Sequence, residues 1–167
     1  MPRRFVNELQ SLYSNGATPN LLVGVAFVES SCRQFTNIQN PTLNIMGYGP
    51  LESMSGNFVG MMQVPPSQST LFDWISNATS GRSIFGTKLS DAANYSAQQT
   101  AAHPTLPALT ATQQEDEALW QYAGFGSSGH YYLPDATFTG WMTTTANPSG
   151  VAYAQSVRNH AGTGCAY

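Results

Sequence analysis

Glu29 occupies a position in this 167-residue chain where a carboxylate is unexpected. It stands near the end of the segment LLVGVAFVES, where an acidic side chain is costly unless it is paired, hydrogen-bonded or neutral. Burial raises the pKa of carboxyl groups in general, and in this way a general acid stays protonated near neutral pH. Glu29 is therefore a candidate general acid. The segment alone slightly favours the alternative, in which Glu29 marks a helix end near solvent or bonds a neighbouring backbone group.

The other carboxylates have simpler explanations. Glu115, Asp116 and Glu117 fall in the first turn of a predicted helix, where negative charge interacts favourably with the helix dipole. Glu52 lies in a Gly-rich loop and has no clear structural role. The remaining four are predicted on polar helix faces, near helix starts or in a turn: Glu8, Asp73, Asp91 and Asp135.

A second segment of possible chemical interest is Gly60-Met61-Met62-Gln63-Val64, which two prolines follow. Glycine allows a backbone to pass close to a ligand. Gln63 offers both a donor and an acceptor to a sugar amide or hydroxyl group. Methionine pairs of this kind are more often core residues than ligand contacts. By itself this segment is a weak indication of a binding site.

Helical spacing of apolar residues dominates the chain, and strand alternation is scarce. No internal repeat or low-complexity tract is present, so the sequence predicts one mostly α domain over residues 1–167. Residues 30–57 are rich in Asn, Gln, Gly and Pro and are predicted to form loops. The first predicted helix covers residues 3–14, and the second is capped by Thr18, has Pro19 in its first position and ends at Glu29. A third begins at Pro65-Pro66-Ser67, and a fourth runs from Ser90-Asp91 to the residues before His103-Pro104. A fifth runs from a capping box at Thr112–Glu115 to Gly124, and a sixth begins at Asn147-Pro148-Ser149.

Together, the two segments resemble the soluble lytic transglycosylases, a family with the goose-type lysozyme fold. The family's E-S motif is similar to Val28-Glu29-Ser30, and its G-(L/M)-M-Q motif is similar to Gly60–Gln63. Its A-Y-N-A-G block corresponds to WQYAG at residues 120–124, and its late Y-x-x-x-V helix to residues 153–157. The motifs occur in the family's order. The resemblance implies a lysozyme-like fold.

The resemblance also implies site residues. It makes Glu29 the catalytic acid and base, with Tyr153 reaching towards it. The residues that it assigns to the glycan-binding groove are Ser30, Gly60, Met62, Gln63, Tyr122, Gly124 and Tyr153. Two features depart from the family pattern. Tyr122 and Gln121 stand where the family has asparagine and tyrosine, and the stretch between Glu29 and Gly60 is longer than usual.

The implied reaction is cleavage of the β-1,4 bond between N-acetylmuramic acid and N-acetylglucosamine in peptidoglycan. Intramolecular transglycosylation, a lyase reaction, would leave 1,6-anhydromuramoyl ends and needs no second carboxylate. One alternative is a hydrolase of the same fold, a muramidase or chitinase, and inverting chemistry would require a second carboxylate, for which Glu52 is the loop candidate. Another is a non-catalytic module that binds glycan or has a structural role.

Composition limits the partners and the location. Charged residues make up 9% of the chain and the net charge is −3, which argues against nucleic acid as a partner. No apolar run is long enough to span a bilayer, and no signal peptide is visible. We therefore expect a monomer that acts on peptidoglycan or a related amino-sugar glycan and is secreted, periplasmic or associated with a phage particle.

No cofactor or metal is expected, because His103, His130 and His160 are far apart in the sequence and have no metal-ligand spacing. We assign these histidines no chemistry. Cys32 and Cys165 fit a single disulfide or two separate thiols equally well. All three tryptophans are expected in the core.

Overall fold

Helices predominate in the computed structural model, which describes residues 20–40, 45–50, 57–161 and 165, with the backbone alone for 35–40 and 45–50. The helices are α1 Leu21–Ser30, α2 Gln68–Phe72, α3 Trp74–Ala102, α4 Ala111–Tyr122 and α5 Pro148–Asn159, with a 3-10 turn at Phe125–Ser128. The strands are β1 Phe35–Asn40, β2 Ile45–Pro50, β3 Tyr132–Pro134 and β4 Trp141–Thr143. The fold is therefore mostly α, as the sequence predicts. The predicted helix at 3–14, together with Thr18 and Pro19, lies outside the described residues.

The chain divides into two compact units, residues 1–82 with 157–167, and residues 83–156. Helices α3 and α5 each contribute residues to both units. The single domain over residues 1–167 stays a prediction, and each unit is described separately below.

In the first unit, helix α1 is the centre of the core. Its apolar residues from Leu21 to Ala26 are buried, as the continuous apolar run predicts. Gly24 allows the backbone near Val157 to approach, because a β-carbon at Gly24 would overlap the Val157 carbonyl oxygen. A disulfide joins Cys32, just after α1, to Cys165, with their Cα atoms 5.7 Å apart. The bridged alternative for the two cysteines is therefore the one that the structure supports.

Strands β1 and β2 lie within the stretch that the sequence predicts as loop, so that prediction is wrong for residues 35–40 and 45–50. The strands pair antiparallel, with Phe35 opposite Pro50 and Asn40 opposite Ile45. Sequence patterns detect strands through β-branched and aromatic alternation. The segments FTNIQN and IMGYGP interrupt that alternation with Asn, Gln, Gly and Pro, and backbone pairing forms the hairpin nevertheless.

Helix α3 has 29 residues and runs through Ser90-Asp91, so the prediction that a helix begins at these two residues is wrong. The Ser90 hydroxyl donates back to the Gly86 carbonyl at 3.2 Å, and Asp91 lies 3.8 Å from Lys88. Neither side chain caps a helix, so the helix continues through both. It ends at Ala102, before His103-Pro104, as predicted.

In the second unit, helix α4 begins two residues earlier than the sequence predicts. Its capping box joins Thr110 and Gln113, with the Gln113 amide 3.2 Å from the Thr110 hydroxyl, and not Thr112 and Glu115. Glu115, Asp116 and Glu117 therefore lie beyond the first turn, and all three are buried, with 3%, 8% and 0% exposure. The prediction that they are simple first-turn acids is wrong.

The remaining helix ends and tryptophans agree with the sequence in part. Helix α4 stops at Tyr122 rather than Gly124, which has a left-handed φ of 85°. Helix α5 begins at Pro148, as predicted. Trp120 is fully buried, whereas Trp74 and Trp141 are only half-buried.

Candidate functional site

Glu29 and Ser30 are the last two residues of α1. Ser31 ends the helix in a left-handed conformation with φ 53°, and its backbone N–H donates to the Phe27 carbonyl at 2.7 Å. Glu29 is half-buried. Glu29 is therefore less buried than the residues of α1 from Leu21 to Ala26, and it stands one residue before the helix ends.

The segment Val59–Val64 forms a tight turn. Val59 and Val64 exchange two backbone hydrogen bonds, of 2.8 and 3.1 Å. Gly60 and Gln63 both have positive φ, 73° and 47°. Left-handed backbone favours glycine, so Gln63 occupies a conformation that costs a non-glycine residue about 1–2 kcal/mol.

Side-chain hydrogen bonds connect this turn to the end of α1. The Ser30 hydroxyl lies 2.9 Å from the Met61 carbonyl and 3.0 Å from the Ala26 carbonyl. Ser30 is 5% exposed, so water competes little for these bonds. Glu29 and the Gly60–Gln63 turn are thus brought together through the residue that follows the glutamate.

The two polar atoms of the Gln63 amide differ in their hydrogen bonding. Its Nε2 donates to the Gly60 carbonyl at 2.8 Å, and only the amide nitrogen can make that bond. No hydrogen bond to Oε1 is found in the described part of the chain. The side chain is half-buried. Gln63 can therefore accept a hydrogen bond from an N–H or O–H group of a ligand.

The other two predicted groove residues of the turn lie behind it. Met62 is fully buried against Gly81, whose missing β-carbon leaves space for it. Gly60 is also buried. Ser30, Gly60 and Met62 are thus buried, and among the predicted residues of the turn Gln63 is the one that is only half-buried.

The predicted residues Tyr122, Gly124 and Tyr153 belong to the second unit. Tyr122 is half-buried, with its ring centroid 6.2 Å from that of Phe85. Gly124 is exposed and Tyr153 is half-buried. The structure thus brings together Glu29 and the four predicted residues of the first unit, and these three are described only within their own unit.

Two buried side-chain amides beneath the turn were not among the predicted site residues. Oε1 of Gln34 accepts from the Met61 amide at 3.1 Å, and Oδ1 of Asn77 accepts from the Met62 amide at 2.8 Å. A signal for Asn77 was present in the sequence. Asn77 and Gly81 lie four residues apart in α3 and therefore share one face of the helix. Gln34 left no comparable signal.

Glu117 forms a second polar cluster, in the second unit, that sequence reasoning also missed. Its fully buried carboxylate accepts from His130 Nδ1 at 2.7 Å and from the backbone amides of Tyr131 and Tyr132 at 2.8 and 3.2 Å. The His130 ring stacks on Tyr95, with centroids 3.6 Å apart. Burial, and then the charge of Glu117, raise the pKa of Tyr95 to about 12.

The described residues contain no group of three or more His, Cys, Asp or Glu side chains that could hold a metal ion. Among the helices of the described ranges, none combines the length and apolar character needed to cross a membrane. No protein-family model, curated protein or solved structure matches this chain.

Proposed function

We propose that this chain is a lysozyme-like glycosidase that cleaves the bond between N-acetylmuramic acid and N-acetylglucosamine in peptidoglycan, with Glu29 as its general acid and base. The observation that carries the proposal is the hydrogen bond from Ser30 to the Met61 carbonyl. It joins the helix end that bears a half-buried glutamate to a turn that presents an amide oxygen. An acid beside a hydrogen-bond acceptor suits an N-acetylated sugar polymer.

The proposed reaction is intramolecular transglycosylation. Glu29 donates its proton to the glycosidic oxygen as the bond to the muramoyl C1 breaks. The acetamido oxygen of the substrate bonds to C1 and stabilises the developing positive charge. The ionised Glu29 then takes the proton of the 6-hydroxyl as that oxygen bonds to C1 and displaces the acetamido oxygen, which closes a 1,6-anhydro ring and regenerates the acid. Gln63 Oε1 accepts a hydrogen bond from the substrate.

The distribution of carboxylates favours this reaction over inverting hydrolysis. Within the described residues of the first unit, the carboxylates are Glu29 and Asp73. Asp73 accepts from the amides of Ile75 and Ser76 at the start of α3, so it has a structural role. Glu52, the other candidate, lies outside the described residues. A mechanism with one catalytic carboxylate is consistent with this arrangement.

The disulfide supports an oxidising location. Disulfides persist in secreted, periplasmic and particle-surface proteins and are rare in the cytosol. The bridge between Cys32 and Cys165 therefore supports the proposal that the chain acts outside the cytoplasm, in the extracellular space, the periplasm or a phage particle. Peptidoglycan is accessible from each of these locations.

The substitution Glu29→Gln tests the proposal. We expect clearing of purified peptidoglycan to fall at least about a hundredfold, because general acid–base catalysis contributes roughly 10²–10⁴ in rate. The matched control is Asp91→Asn, an exposed carboxylate in the second unit, which should retain activity. Circular dichroism of both variants should show an unchanged fold. Full activity of Glu29→Gln would overturn the assignment.

The products decide between the proposal and its alternatives. Mass spectrometry of the released muropeptides should show 1,6-anhydro ends. Reducing ends would instead indicate a muramidase, or a chitinase if chitin is the substrate that is cleaved. Binding of glycan without any product would indicate a non-catalytic module.

A further inference from the structure

Asn77 and Gln34 use all of their amide groups on the backbone around the Val59–Val64 turn. Nδ2 of Asn77 donates to the carbonyls of Val59 and Thr70 at 2.8 and 3.2 Å, and its Oδ1 accepts from the Met62 amide. Asn77 is fully buried. A neutral amide in such a place satisfies one donor and two acceptors that would otherwise be buried without partners.

Gln34 makes the equivalent contacts one residue earlier in the turn. Its Nε2 donates to the Thr70 and Leu71 carbonyls at 2.9 and 3.1 Å, and its Oε1 accepts from the Met61 amide. It is 6% exposed. The two amides therefore hold consecutive N–H groups of the turn towards the protein interior and connect the turn to helix α2.

These contacts extend to Gln63 through Gly60. A β-carbon at Gly60 would overlap Asn77 Nδ2 and would lie 2.6 Å from Gln34 Oε1, so both amides pack directly against this residue. The Gly60 carbonyl in turn accepts from the Gln63 backbone at 3.2 Å and from its side chain at 2.8 Å. The position of the Gln63 amide is thus set by Gly60, and that of Gly60 by the two buried amides.

We propose that Asn77, together with Gln34, is a positioning residue that fixes the ligand-facing Oε1 of Gln63. The inference rests on the proposed function for the identity of the ligand, an N-acetylated glycan. The buried amides add to the backbone bonds that hold the left-handed conformation of Gln63, and such strained residues persist only where their surroundings over-determine them. Asn77 thereby contributes to glycan binding without contacting the glycan.

The test is Asn77→Asp, with Asn94→Asp as its control. An aspartate in place of Asn77 keeps the acceptor for the Met62 amide and loses the donors to the Val59 and Thr70 carbonyls. Asn94 lies exposed on the same helix, so the same chemical change there should have no effect. We expect Asn77→Asp to raise KM for peptidoglycan fragments about tenfold, in line with the loss of a buried hydrogen bond. Since Glu29 keeps its connection through Ser30, kcat and its pH profile should not change.

A double-mutant cycle separates positioning from general destabilisation. Gln63→Ala should raise KM by itself, and adding Asn77→Asp to Gln63→Ala should raise KM no further. Independent, multiplicative effects of the two substitutions on KM would overturn the inference. If Asn77→Asp does not fold, Gln34→Glu replaces it in the same cycle, with the exposed Gln98→Glu as its control.

Nuclear magnetic resonance keeps this test distinct from that of the proposed function. In the wild type, the Gln63 side-chain amide protons should show slow solvent exchange, and Asn77→Asp, but not Asn94→Asp, should accelerate it. This result would support positioning even if the wild type cleaved no glycan. Unchanged exchange in Asn77→Asp would overturn positioning even if the enzyme were active.

Discussion

Gly60 has to satisfy two requirements, one of backbone conformation and one of space. Its φ of 73° lies in the left-handed region that favours glycine. The direction in which a β-carbon would point is filled by the amide groups of Asn77 and Gln34. The turn that carries Gln63 therefore depends on a residue with no side chain.

We predict that Gly60→Ala lowers the free energy of unfolding by about 2–5 kcal/mol, as the sum of left-handed strain and overpacking. Urea denaturation measures this change. The substitution should also weaken glycan binding, because Gln63 would move with the turn.

Substitutions at two other glycines separate the contribution of backbone strain from that of overpacking. Gly124 has φ 85°, and a β-carbon added to it would meet no atom within 4 Å, so Gly124→Ala should cost only the strain, about 1–2 kcal/mol. Gly86 lies in helix α3 with equally open space, and Gly86→Ala should stabilise by about 0.5–1 kcal/mol. A cost for Gly60→Ala no larger than that for Gly124→Ala would contradict the packing argument.

At the scale of elements, the segment from Gly129 to Tyr132 is joined to helix α4 by hydrogen bonds. Trp120 Nε1 donates to the Gly129 carbonyl at 3.0 Å, and the Glu117 carboxylate accepts from the three residues that follow. The Tyr132 hydroxyl donates to Asp116 at 2.9 Å. A buried carboxylate is tolerated here because several donors converge on it.

We predict that His130→Ala costs about 1.5–3 kcal/mol of unfolding free energy, because it removes a hydrogen bond to a buried charged group. His103→Ala is the matched control, since His103 also stacks on an aromatic ring, that of Phe138, with centroids 3.6 Å apart. Thermal and urea unfolding compare the two. Equal costs would indicate that stacking, and not the bond to Glu117, is the important contact.

Asp73, at the start of helix α3, makes the stability of the protein depend on pH. The Ser76 hydroxyl, 2.6 Å away, and the amides of Ile75 and Ser76 lower the pKa of Asp73 below its ordinary value of 3.8, although burial acts in the opposite direction. A carboxyl group whose pKa is lowered by folding stabilises the protein above its unfolded pKa. That contribution is lost as the pH falls through the folded pKa.

We predict that Asp73→Ala costs about 1 kcal/mol at neutral pH, the usual effect of losing a helix cap. The difference from wild type should shrink as the pH falls below 3.8. Urea unfolding across about pH 2–7, a range chosen to bracket the ordinary carboxyl pKa values, measures this. A difference that stays constant at low pH would show that the charge of Asp73 is not involved.

These elements show what local sequence patterns could and could not predict. The apolar run of α1 and the proline after His103 determined one buried helix and one helix end, because both signals are local. The sequence pattern predicts the capping box of α4 two residues too late, and with that boundary the buried Glu117 looks like a first-turn acid. The β1–β2 hairpin and the contact of Gln34 with Met61 depend on pairing between distant segments, which no local pattern carries.

At the scale of the whole molecule, the disulfide closes most of the chain into a ring. The bridge between Cys32 and Cys165 spans 133 positions. The Cys165 sulfur also lies 3.8 Å from the Val23 carbonyl, so the end of the ring packs on helix α1. The sequence identified the two cysteines and left their pairing open, since the distance between them depends on the fold.

We predict that reduction destabilises the protein by about 4–5 kcal/mol, the chain-entropy value for a loop of this length. Thermal unfolding with and without a reductant measures the effect. The double substitution Cys32→Ser with Cys165→Ser should match the reduced wild type and should not respond to the reductant. A reduced protein as stable as the oxidised one would contradict this prediction.

The left-handed backbone of Gln63 sets two selective pressures against each other. Glycine or asparagine would adopt φ 47° at a lower free-energy cost than glutamine. Glycine has no side-chain amide, and the amide of asparagine is on a side chain one methylene shorter than that of glutamine. Selection for thermal stability alone therefore favours replacement of this residue, whereas selection for ligand recognition favours its retention. The turn is a place in the molecule where added robustness and function are in direct competition.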